Sequence, residues 1–141
     1  MLINKSILQG ALNICKVDKS PVFIDKDGTV ISLNKMVLYV AEPVVQEIAF
    51  GSKEPLEEQV IISATTAEQI IKAIPKDTLF KGRLEHADIL VKGLDIDVNV
   101  RDGQREHSIS LRRISRSFID YKQVLRETYE SRGERLPPSS L

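Results

Sequence analysis

The chain has 141 residues, 42% hydrophobic and 28% charged, an ordinary globular composition that fills one domain or two very small ones. Its 20 Lys and Arg balance 20 Asp and Glu, which argues against the basic excess of a dedicated nucleic-acid binder, so any DNA contact needs charge segregated onto different faces. A lone Cys15 excludes an internal disulfide and fits a reducing compartment.

No apolar run reaches membrane-spanning length. The start, Met1-Leu2-Ile3-Asn4-Lys5, lacks the basic-then-apolar build of a signal peptide, so a cytoplasmic protein is expected. Ile3, Ile7, Leu8, Ala11, Leu12 and Cys15 fall on one face at helical spacing, opposite Lys5, Gln9, Asn13 and Lys16, which predicts a first helix with Asn4 as its cap. Gly10 costs about 1 kcal/mol against alanine inside a helix, which points to a close neighbour there. The helix should stop near Val17-Asp18-Lys19-Ser20-Pro21.

Two β-rich runs, Val22 to Asp25 and Thr29 to Leu33, flank Lys26-Asp27-Gly28. An Asp-Gly pair so placed predicts a hairpin. Asn34-Lys35 reads as a second turn, Met36 to Ala41 as a third strand and Val44 to Phe50 as a fourth, with Pro43 bending the chain between them. Gly51 to Glu58 is a polar loop and the expected seam between two half-domains. Gln59 to Ser63 is a strand. Thr65 and Glu68 form a capping box ahead of Ile70, Ile71 and Ile74, and Pro75 ends that helix.

Leu79 to Leu84, Ala87 to Val91, Leu94 to Arg101 and Arg105 to Arg113 read as strands. In the third of these, Leu94, Ile96, Val98 and Val100 point one way and Asp95, Asp97, Asn99 and Arg101 the other. Asp102-Gly103 turns the chain. The next strand places His107, Ile109 and Leu111 inward, with Arg105, Ser108, Ser110 and Arg112 toward water or a partner. Phe118, Tyr121, Leu125 and Tyr129 also fit a helical stripe, so that segment reads as extended or helical. Gly133 to Leu141, with Pro137-Pro138-Ser139-Ser140, is expected to be a disordered tail.

Catalytic patterns are missing: there is no G-x-S-x-G, phosphate loop or zinc spacing. Asp95-x-Asp97-x-Asn99 begins a calcium-loop pattern but lacks the glycine and distal glutamate, and strand alternation already explains it. His86 and His107 have no second ligand at a useful spacing. Cys15 belongs to an apolar helix face as a small core residue. Arg112, Arg113 and Arg116 could form a phosphate patch, but neighbours in a strand face opposite ways. No enzyme activity, cofactor or metal is expected.

Each half of the chain has one amphipathic helix followed by strands joined by Asp-Gly turns, the plan of a DNA sliding-clamp domain. Phe118-x-Asp120-Tyr121-x-x-Val124-Leu125, after Leu111-Arg112-Arg113-Ile114, is similar to the F-P-D-Y-x-x-V-L-P of bacterial DNA polymerase III β clamps. From Ile7 to Arg126 the chain resembles one internal domain of that family. Ile119 and Arg126 replace the family's prolines. Ser32-Leu33-Asn34-Lys35-Met36 stands where the family's T-D-G-H-R turn helps form a partner-peptide pocket, and only Met1-Leu2-Ile3 is available for its leading strand.

The resemblance implies an α+β, clamp-like fold with two helices on antiparallel sheets and an internal pseudo-twofold, α-β-β-β repeated. It would span residues 1–131, as half-domains of about 1–52 and 59–131, with 132–141 as tail. It implies a non-enzymatic replication processivity or accessory factor that self-associates and holds duplex DNA without sequence preference. In clamp rings the helices line the hole. Here that face would carry Lys5, Lys16, Lys72 and Lys76, meeting phosphates through a salt-sensitive attraction. A DNA polymerase or other replication protein would be the partner. The alternative is a clamp-shaped module that binds a polymerase, clamp or regulator without encircling DNA; an unrelated structural α+β domain is the third reading.

Overall fold

A computed structural model of the chain describes residues 1–43, 54–78, 85–102 and 105–114. The chain opens with a short strand, β1 (Leu2–Asn4), that runs directly into α1 (Lys5–Cys15). The Asn4 carboxamide oxygen accepts from the Ser6 N–H at 2.8 Å and the Ile7 N–H at 3.3 Å, satisfying two of the donors a helix start leaves open. Leu8, Ala11, Leu12 and Cys15 are buried along one stripe, as the spacing predicts. Ile3 is buried too, but from β1 and not from the helix. After Cys15 the Ser20 N–H returns to the Cys15 carbonyl at 3.0 Å, and Lys19 takes φ +54° to make the reversal.

The expected hairpin joins β2 (Val22–Ile24) to β3 (Val30–Leu33). The Asp25 N–H donates to Thr29 O at 2.8 Å, and Gly28 supplies a φ of +93°, which glycine adopts without a Cβ penalty. Asn34 closes the next turn: its side-chain oxygen accepts from the Met36 and Val37 N–H groups, each at 2.7 Å. That capture keeps Met36 and Val37 out of the strand expected to begin there, and β4 is Leu38–Ala41.

β5 (Val60–Ile62) is buried throughout and leads into α2 (Ala64–Ala73). The cap is Ser63, whose hydroxyl accepts from the Thr66 N–H at 3.1 Å, so the Thr65–Glu68 capping box is corrected. Both residues lie inside the helix, and Glu68 instead pairs with Lys72 one turn on, at 2.7 Å. The predicted stripe of Ile70, Ile71 and Ile74 is buried, and Pro75 leaves Ile74 extended at ψ 117°.

Three long strands follow: β6 (His86–Lys92), β7 (Asp95–Asp102) and β8 (Arg105–Arg112). Ile96, Val98 and Val100 face the core as predicted. Two inward assignments are overturned. Leu94 is 46% exposed because it sits in the β6–β7 turn. His107 is exposed because β8 is the last strand of its sheet, where only Ile109 and Leu111 still reach the core.

The strands form two antiparallel four-stranded sheets, in the orders β1-β6-β7-β8 and β4-β3-β2-β5. Among the described residues each half runs strand, helix, three strands. The leading strand of each half crosses to the other half's sheet: β1 pairs with β6, and β5 with β2. The helices pack against each other, α1 lying over β3 and β4. Beyond β8, the Ile114 N–H donates to Ile61 O at 2.8 Å, tying the end of one sheet to β5 of the other. Buried apolar side chains from both sheets and both helices make one continuous cluster. Among the described residues the fold is α+β, with two helices and two antiparallel sheets. The expected strands at Val44 to Phe50 and Leu79 to Leu84, the Gly103 turn position, the Phe118 to Leu125 motif and the 132–141 tail lie outside the described residues.

Candidate functional site

The four lysines expected to face DNA all lie on or beside the paired helices. Lys5 is half-buried at the start of α1, while Lys16 caps its other end and is exposed. Eleven residues separate them, which is about 16 Å along a helix axis. Lys72 is exposed in the last turn of α2, and Lys76 is exposed just past Pro75. Between Lys5 and Lys16 the outer face of α1 is uncharged; there Gln9 Nε2 donates to Asn13 Oδ1 at 3.0 Å.

Glu68 of α2 pairs with Lys72 at 2.7 Å, and Lys16 at the end of α1 is near enough for its charge to be felt there. The hydrogen bond and the charge of Lys72, with a smaller contribution from Lys16, hold the exposed Glu68 carboxyl below its ordinary range. The helices themselves carry Lys5, Lys72 and Glu68, while their flanks add Lys16, Asp18 and Lys19 after α1 and Lys76 and Asp77 after α2. Lys5 lies at the far end of α1 from Lys16, so the four lysines do not make one continuous patch.

The outer face of the β6-β7-β8 sheet is occupied with its own pairing. Asp97 meets Lys92 at 2.8 Å, and Asp95 meets Arg112 at 3.6 Å. Those pairings explain Asp95, Asp97 and Asn99 as a strand's wet face. Among the described residues no group of three or more His, Cys, Asp or Glu could hold a metal ion. The arginines do not form one patch: Arg112, the last residue of β8, is exposed, whereas Arg113 just beyond the strand is largely covered and meets Glu58 at 2.6 Å. Arg116 lies outside the described residues. Cys15 is fully buried, and burial pushes its thiol pKa up, which removes thiolate character.

Two features escape any reading of the sequence by local pattern. His86 is buried on β6, and Asn4 Nδ2 donates to its Nε2 at 3.3 Å across 82 positions of chain. No local signal joins residues that far apart. A groove of about 320 Å³ also runs between residues 54–58 and β6, with Met1, Leu56, Ile89 and Val91 in its lining and Glu57 and Glu58 beside them. Glu58 is the carboxylate that Arg113 engages. The Ser32 hydroxyl, in the stretch aligned with the clamp family's pocket turn, is buried and donates to the Ala11 carbonyl at 2.8 Å. It is therefore occupied holding α1 to β3.

No helix among the described residues is long and apolar enough to cross a membrane. No family model, curated protein or solved structure matches the chain.

Proposed function

We propose that the chain is a sliding-clamp-like domain, a non-enzymatic DNA replication accessory factor that binds duplex DNA without sequence preference. The observation that carries this reading is the reciprocal crossing of β1 and β5. It makes each half a β-α-β-β-β unit and sets the two helices side by side, as in the clamp plan. The likeness of Phe118 to Leu125 to the clamp motif supports it. So does the presence of Lys5, Lys16, Lys72 and Lys76 on or beside the helices of a chain of zero net charge. Repeating that surface in a self-associated ring would focus positive potential on a central channel.

A second reading is favoured by the ion pair that already engages Lys72 and by the groove beside β6. It is a clamp-shaped module that binds a polymerase, a clamp or a regulator and does not encircle DNA.

The test is solution mass by light scattering at two protein concentrations, with duplex-DNA affinity measured at low and moderate salt. A closed oligomer with salt-sensitive affinity is the expected result. A monomer with no DNA affinity sinks the first reading. Recovery of a replication protein by that monomer would establish the second.

A further inference from the structure

We propose that Asn4 and His86 form an acid-operated latch on α1, in which the neutral imidazole holds the amide that caps the helix and its protonation releases that cap. The inference stands apart from the clamp-like reading and does not depend on it.

The amide orientation of Asn4 is fixed by its capping role. Its Oδ1 takes the Ser6 and Ile7 N–H groups, so Nδ2, which can only donate, is the atom turned to His86. The hydrogen bond at 3.3 Å therefore requires Nε2 to be an acceptor. This sets the tautomer: the proton sits on Nδ1, an atom that is buried and has no partner among the described residues. A proton added at Nε2 would face the Asn4 amide donor to donor. Turning the amide over would satisfy the imidazolium but would point Nδ2 at the Ser6 and Ile7 N–H groups and uncap α1. The imidazole has little room to swing away, being 2% exposed. Either response breaks one of the two linked contacts.

Among the described residues the surroundings offer the cation little compensation. Lys5 heads α1. Glu85 and Asp88 lie near His86 along the chain; the Glu85 side chain accepts from the Asp77 N–H at 3.0 Å, and the Asp88 carboxylate holds the Met1 ammonium at 2.9 Å. On β7, Arg101 follows the Ala87–Val100 pair and stands 3.9 Å from Glu106 of β8. Burial is what depresses the His86 pKa, in keeping with a cation that lacks an acceptor.

The experiment is an NMR titration of the full chain from about pH 7.5 to 5, following the imidazole of His86 together with the Ser6 and Ile7 amides and their hydrogen exchange. His107, exposed on β8, serves as an internal control. The Ser6 and Ile7 amides should shift with the His86 midpoint, and their exchange, taken relative to the intrinsic rate at each pH, should accelerate about fivefold on protonation, the weight of one N-cap. The Asn4→Asp variant keeps a good cap but offers a carboxylate to His86, so its His86 midpoint should move up and the acceleration should vanish. The proposal is overturned if Ser6 and Ile7 ignore the His86 titration. It is equally overturned if Asn4→Asp leaves the His86 midpoint in place.

Discussion

Gly10 is held as glycine by a neighbour rather than by its backbone angles. A Cβ built there would lie 2.5 Å from Tyr39 Oη and 2.8 Å from Cζ, and the hydroxyl is anchored by donating to Ile7 O at 3.1 Å. Alanine would gain about 1 kcal/mol in helix propensity but meet an overpacking cost of about 1–3 kcal/mol. Gly10→Ala should therefore destabilise by about 1 kcal/mol in a denaturant titration. In a Tyr39→Leu background the same change should be neutral or stabilising; an equal cost in both backgrounds would remove Tyr39 from the explanation. His86 gives the second single-residue expectation. Its pKa in the fold lies below the ordinary 6.5, so between those values the unfolded chain binds the extra proton. Its contribution to stability is then complete above pH 6.5 and lost as pH falls through the folded pKa. Thermal unfolding should shift to lower temperature as pH falls below the ordinary histidine value of 6.5. His86→Gln, whose amide oxygen can replace Nε2 without titrating, should flatten that fall, and an unchanged slope would acquit His86.

At the scale of elements, α2 separates two candidate caps. Ser63 accepts from the Thr66 N–H, while Thr65 stands exposed in the first turn. Ser63→Ala should cost about 1 kcal/mol and Thr65→Ala less than about 0.5 kcal/mol; the reverse order would restore the capping box to Thr65. The two residues also mark what the sequence could and could not reveal. Both buried helix stripes and the Asp27-Gly28 hairpin were legible, because each depends on residues within a turn or two of one another. Ser63 was hidden because it also reads as the last residue of a strand. The inward alternation of β8 was right for Ile109 and Leu111 but failed at His107, since periodicity gives the parity of a face and not where the core ends. The partners of β1 and β5 were illegible for a deeper reason: pairing across half the chain leaves no local trace. Of the candidate site, the lysines were visible as a helix's polar face, whereas the approach of Lys16 to Glu68 needed the packing of α1 on α2.

For the whole molecule the balance of charge is less informative than its placement. If the helix surface meets phosphates, Lys16→Glu with Lys76→Glu should weaken duplex binding equally for all sequences. The salt dependence should also fall, by about 0.9 in the log–log slope for each phosphate that is no longer neutralised. Fluorescence anisotropy across a salt series would measure both. An unchanged slope would direct attention to the groove beside β6 or to another surface.

The exchange of leading strands also constrains how the chain reaches its fold. Met1 and Asp88, in contact at one end of the first sheet, are 87 positions apart, so that sheet cannot close its β1 edge until most of the described chain has been made. Neither half encloses a finished sheet of its own. Cutting the chain between residues 43 and 54 should yield two pieces that are unfolded alone and acquire strand and helix signals when mixed. Pairing at such separation also predicts slow folding, on the order of milliseconds to seconds, with loss of both sheets in a single step. For a cell making this protein, a truncated product would then carry no partly working half and would be left open to proteolysis.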